Sequence, residues 1–107
     1  MRKIKRDDAL DIVRLLKKNL EEKGVPVRKA FLFGSYATGG THDWSDIDVA
    51  VVHDPFLETP GKEKSLLFSQ GKSFDVRIEL ISFRPSDFEN KYSCLASEVR
   101  THGVPVA

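Results

Sequence analysis

Cysteine is nearly missing from this sequence. Cys94 is the single one among 107 residues, so no intrachain disulfide can form. Long apolar runs are missing too. None approaches the ~20 residues needed to span a bilayer, which excludes a helical membrane protein. The basic start, Met1-Arg2-Lys3-Ile4-Lys5-Arg6, leads into Asp7-Asp8 and not into a secretory apolar stretch. Charge of one sign does not dominate: 17 basic residues face 16 acidic ones, a net of +1. That balance offers no broad electrostatic footprint for nucleic acid. His42, His53 and His102 show no metal-ligand spacing. No Gly-x-x-x-x-Gly-Lys-Ser/Thr loop is present, so a P-loop is excluded. There is no internal repeat, linker or low-complexity stretch.

What is there suffices for a core. Leu, Ile, Val and Phe supply 32 of the 107 residues, well above the level at which a chain stays disordered. The length fits one domain spanning residues 1–107. The expected setting is soluble and cytoplasmic.

Periodicity outlines the elements. Leu10, Val13, Leu16 and Leu20 predict a helix over residues 7–23, with Asp7 as its cap and Gly24 as its stop. Lys29–Phe33 reads as a short strand ending at Gly34-Ser35, followed by a polar loop over residues 36–45. Asp46–His53 is the strongest strand. Ile47, Val49 and Val51 point to one face, and Asp46, Asp48, Ala50 and Val52 to the other. Lys62–Gln70 is expected to be a short helix. Phe74–Phe83 alternates as a third strand, with Asp75, Arg77 and Glu79 on one face. Pro85–Phe88 turns into a helical segment, and Ser93–Thr101 is the expected last helix. Cys94 is expected to be a small buried apolar residue. The order α-β-β-α-β-α implies an α+β fold, a mixed sheet packed with helices.

The chemistry concentrates between Gly34 and Glu79. A ten-residue loop lets the first two strands lie antiparallel, so Gly34-Ser35 sits beside Asp46 and Asp48. The two aspartates are attached roughly 6–7 Å apart on one strand face. At about 5 Å and an effective dielectric of 20, their charges repel by roughly 3 kcal/mol. A divalent cation turns that penalty into attraction. Two cations bridged by such carboxylates can clamp the entering and leaving oxygens of a phosphoryl transfer. Oxygen-only ligands favour Mg²⁺ or Mn²⁺ over zinc. Gly34 lets the backbone approach closely, and Ser35 offers an N–H and a hydroxyl to a phosphate. Asp75 or Glu79 can supply a third carboxylate. A parallel crossover brings strand starts together and favours Asp75, whereas an antiparallel third strand favours Glu79.

Gly34-Ser35-Tyr36-Ala37-Thr38-Gly39, followed by Ser45-Asp46-Ile47-Asp48-Val49-Ala50-Val51-Val52, resembles the signature of the DNA polymerase beta-like nucleotidyltransferase superfamily. The short length is similar to its minimal nucleotidyltransferase (MNT) branch. Phe74-Asp75-Val76-Arg77-Ile78 resembles the family's third-carboxylate strand. The resemblance implies a palm-like fold and transfer of a nucleoside monophosphate from an NTP, with ATP first in line, to a hydroxyl. It implies metal binding by Asp46 and Asp48, activation of the attacking hydroxyl by Asp75, and nucleotide contacts from Gly34 and Ser35. It further implies a partner. Small members are often antitoxins paired with a helical HEPN protein, in some cases adding AMP to a partner tyrosine. A chain this short needs walls from such a partner or from a second copy. One position departs from the pattern: Thr38 stands where many members carry Arg or Lys. That departure motivates a second reading, a module that neutralises its partner by contact alone. Transfer to a small molecule such as an aminoglycoside is a third, usually requiring a second domain.

Overall fold

In a computed structural model the described residues are 5–34 and 46–106. Helix α1 runs Arg6–Glu22. Its buried residues, Ala9, Val13, Leu16 and Leu20, recur every three or four positions and form one apolar stripe. The helix starts one residue before the sequence pattern suggests. Lys5 is the N-cap, and its N–H donates to the Asp8 carboxylate at 3.3 Å. At the other end Gly24 N–H reaches Glu21 O and Val25 N–H reaches Leu20 O, both at 3.0 Å, which closes the last turn.

Strand β1 spans Val27–Phe33 and β2 spans Ile47–His53. They pair antiparallel, with Phe33 opposite Asp48 and Ala30 opposite Val51. Helix α2, Pro60–Phe74, extends beyond the expected 62–70 at both ends. Thr59 caps it by accepting Lys62 N–H at 3.2 Å, and Pro60 suits the first turn. The helix continues to Phe74, so β3 is Ile78–Phe83 and starts four residues later than the sequence alternation suggests. β3 runs parallel to β2, as a crossover through a helix requires.

Two short helices follow, α3 over Pro85–Phe88 and α4 over Cys94–His102. Strand β4, Val104–Val106, completes the sheet in the order β3-β2-β1-β4. The sequence reading has no β4, because three residues with a central proline carry no strand signal. On an edge strand that proline is tolerated.

The sheet is covered on both faces. Ile47, Val49, Val51, Ile78 and Leu80 join α1 and Leu67 of α2 in one core. Ala50, Val52, Phe33 and Phe83 join Phe88, Ala96 and Val99 in a second core under α3 and α4. β2 thus feeds both cores alternately, as its period of two demands. Cys94 is exposed, contrary to expectation. It opens α4 on the solvent side, while Ala96 and Val99 take the buried positions.

Candidate active site

Asp48 sits on β2 one step beyond the fully buried Ile47, on the same sheet face as Ala50 and Val52. In the ladder it lies between Phe33 of β1 and Glu79 of β3. Parallel strands in register present side chains of matching position on one face. The Asp48 and Glu79 carboxylates are therefore cross-strand neighbours. Asp46 precedes β2 by one residue and is exposed. Burial pushes the Asp48 carboxyl above its ordinary value of 3.8, and the charges of Glu79 and then Asp46 push it the same way. The protein has placed a half-buried acid where its own neighbours disfavour its charge.

Gly34 closes the other side. It leaves β1 with φ +71°, in the left-handed region. A Cβ built there would lie 2.1 Å from Asp48 Oδ2. Only glycine lets the chain turn against that carboxylate. Ser35 lies outside the described residues, as do Thr38, His42 and Trp44.

Asp75 occupies a different environment. It is the C-cap of α2, not a strand residue. Its carboxylate accepts three hydrogen bonds from Arg77: the backbone N–H at 2.9 Å and Nε at 3.0 Å on Oδ1, and Nη2 at 2.6 Å on Oδ2. The Arg77 side chain holds the Asp75 carboxyl below the usual carboxylate range, against the effect of partial burial. The late start of β3 is the cause. The parallel direction matches the argument that strand starts are neighbours, but the residue near that start is Glu79. The structure brings Asp48 and Glu79 together beside Gly34 and Asp46, and holds Asp75 in an ion pair four residues before Glu79.

Among the described residues, no three His, Cys, Asp or Glu side chains close around one point as a finished metal cage. The donor set still suits a hard divalent cation. It is all oxygen and collects negative charge, and Asp48 is raised by burial first and by that charge second. Glycine at position 34 keeps the approach to Asp48 Oδ2 free of side-chain atoms.

Arg77, between Asp75 and Glu79 on one face in the sequence, reads as an ion-pair partner ahead of a phosphate contact, and it carries the Asp75 clamp. Glu63 is the feature that escaped the sequence reading. Glu63 is fully buried on α2 at the far end of the sheet. Its carboxylate accepts Phe56 N–H at 2.6 Å, Leu57 N–H at 3.0 Å and Arg84 Nε at 2.7 Å. These partners, Arg84 first, depress its pKa from 4.5 to about 2. His53 is buried nearby, with Nδ1 2.9 Å from Asp54 O and its ring edge-on to Phe56. Both belong to the packing of that end.

Residues 13–99 match the family model for the nucleotidyltransferase domain. Crystal structures that resemble the chain include three of toxin-antitoxins. A mutant of the toxin-antitoxin MntA-HpeT is 26% identical, with a TM-score of 0.57 over 91% of this chain and 69% of that one. A second mutant of the same pair is 23% identical, with a TM-score of 0.56 over 91% and 70%. A toxin-antitoxin with AMP-PNP is 24% identical, with a TM-score of 0.60 over 86% and 70%. No curated protein matches.

Proposed function

Since the chain belongs to the nucleotidyltransferase-domain family, in its minimal branch, we propose that it moves a nucleoside monophosphate, AMP first in line, from an NTP to a hydroxyl on a partner protein. The observation that carries this reading is the in-register pairing of Asp48 with Glu79 beside Gly34. On it, Glu79 takes the third-carboxylate role in place of Asp75.

Asp46, Asp48 and Glu79 are the residues that would hold Mg²⁺ or Mn²⁺, two ions in all. Bound there, the ions supply neutralisation of the charge that develops on the phosphate oxygens. The chain's own groups do the rest. Gly34 gives the nucleotide phosphates room against Asp48, and Ser35 follows it as a donor. Glu79 Oε accepts the proton of the attacking hydroxyl. The hydroxyl oxygen then forms its bond to the α-phosphorus, the bond to the bridging oxygen breaks, and pyrophosphate leaves with that electron pair. Asp75 is already saturated by Arg77 and is a poorer proton acceptor.

The company the fold keeps supports a partner protein. Structural relatives are toxin-antitoxin complexes, one of them with AMP-PNP. The chain is accordingly read as the antitoxin of a HEPN-type pair, with a helical toxin as both wall and acceptor. The test is incubation with labelled ATP, Mg²⁺ and the co-purifying protein, followed by intact mass analysis. A mass gain of one nucleotide on the partner is expected, and it should vanish with Asp48→Asn and with Glu79→Gln. Retention of full transfer by Glu79→Gln would remove Glu79 from the mechanism.

A further inference from the structure

Glu79 can meet Asp48 only if β3 enters the sheet in one register. A slip of one residue would set Ile78 or Leu80 opposite Asp48 and turn Glu79 toward the apolar core under α2. The buried face of Ile78 and Leu80 opposes that slip, and the start of β3 holds a second, polar restraint on the register. The strand follows α2 after only three residues, and those residues form a stitched turn. Asp75 N–H donates to Gly71 O at 3.0 Å, which ties the turn to the helix. Ile78 N–H donates to Asp75 O at 2.9 Å, which closes it. Arg77 O accepts Ile47 N–H at 2.8 Å, which ties it to β2 between Asp46 and Asp48. Across this turn the Asp75 carboxylate grips Arg77 by backbone and guanidinium together. Gly71 of α2 adds a close fit, since a Cβ there would lie 3.0 Å from Ile78 Cγ2 and 3.1 Å from Leu80 Cβ.

We infer that the Asp75–Arg77 pair is a register clamp that delivers Glu79 to Asp48, so that Asp75 and Arg77 are positioning residues for the metal-binding carboxylates. The pair is well placed for this. The Asp75 side chain is 18% exposed and that of Arg77 38%, so the bidentate contact is partly shielded from water and geometrically exact in what it fixes. The inference rests on the function proposed above in naming Glu79 as a ligand. Its structural half, the register, stands on that packing and the hydrogen bonds alone.

The experiment compares wild type, Asp75→Asn, Arg77→Met, Arg77→Lys, the double variant Asp75→Asn/Arg77→Met, and Asp48→Asn. Mn²⁺ alone is the probe, titrated by electron paramagnetic resonance, with kcat and KM for ATP measured alongside. Amide exchange at Ile47 and Glu79 is followed by NMR. Each clamp variant should weaken Mn²⁺ about 10-fold, the usual effect of losing a partner that orients a ligand. kcat should fall by a similar factor with KM little changed. The double variant should be no worse than either single one, Arg77→Lys should recover part of the loss, and exchange at Ile47 should quicken. Asp75→Asn abolishing Mn²⁺ binding as fully as Asp48→Asn, with Arg77→Met leaving it intact, would make Asp75 a ligand and overturn the clamp. Unchanged exchange at Ile47 and Glu79 in both single variants would overturn it as well. Quickened exchange in a protein whose wild type binds no Mn²⁺ would sustain the clamp and sink the function. Arg77→Lys, which keeps the charge, serves as the readable variant if the neutral ones fail to fold.

Discussion

Asp48 is half-buried beside two other carboxylates, and its carboxyl is raised in consequence. Its native pKa lies above its unfolded one, so the native state holds the extra proton in the interval between them. Stability of the metal-free protein therefore falls as pH rises from 3.8 through that interval. Asp48→Asn removes the repulsion. It should raise the melting temperature by a few degrees, under about 1 kcal/mol for a group still partly in water. The same change should cut transfer activity by roughly 10²–10³-fold or more. A calorimetric scan and a transfer assay on one preparation check both signs. Gly34→Ala should lose on both counts. It places a Cβ 2.1 Å from Asp48 Oδ2 at a positive φ, which costs roughly 2 kcal/mol or more. Urea unfolding measures that cost. A full-strength Gly34→Ala enzyme would show that the turn does not abut Asp48 in solution.

Among the elements, the ones written in the sequence were those with a period. β2 is a β-branched apolar run, so its existence and its two faces could be read directly from the period of two. Helix α1 was equally plain from Leu10, Val13, Leu16 and Leu20, although the structure buries Ala9 fully and Leu10 only in part. The boundary between α2 and β3 could not be read. Ser73, Phe74, Asp75, Val76 and Arg77 alternate like a strand, yet helix packing through Gly71 carries α2 to Phe74. That single boundary decides whether Asp75 or Glu79 faces Asp48. Tertiary packing wins over local pattern there. Glu63 was hidden for the same reason: a charge in a helix looks solvated until Phe56, Leu57 and Arg84 are brought over it. Its pKa of about 2 gives it a pH signature. The native state binds fewer protons between about 2 and 4.5, so the stability it supplies is complete above 4.5 and lost as pH falls toward 2. Glu63→Gln should cost about 2–3 kcal/mol at neutral pH and flatten the acid limb of the stability curve. Denaturant midpoints at pH 3 and pH 7 measure it.

Taken as one body, the described residues carry a closed polar network at one end and a gathering of carboxylates at the other. At the C-terminal ends of β2 and β3, Glu63, Arg84 and the Phe56–Leu57 backbone satisfy one another. At the N-terminal ends, Asp46, Asp48 and Glu79 add negative charge with a glycine turn against them. A ligand that binds only the folded state adds about 2.7 kcal/mol at a hundred times its dissociation constant. Mg²⁺ with ATP should therefore raise the melting temperature by roughly 10 °C at that excess. Neither ATP with a chelator nor Mg²⁺ with Asp48→Asn should do so. A thermal-shift series reads the difference.

Gly34, chosen for the room it leaves, also sets no side chain of its own against Asp48. Cargo must then serve as the missing keystone, and the chain's persistence in a cell would track its supply of divalent cation and nucleotide. Limited proteolysis without Mg²⁺ and ATP should digest the protein several-fold faster than with them. Equal digestion rates would mean that the bare carboxylates are already at rest.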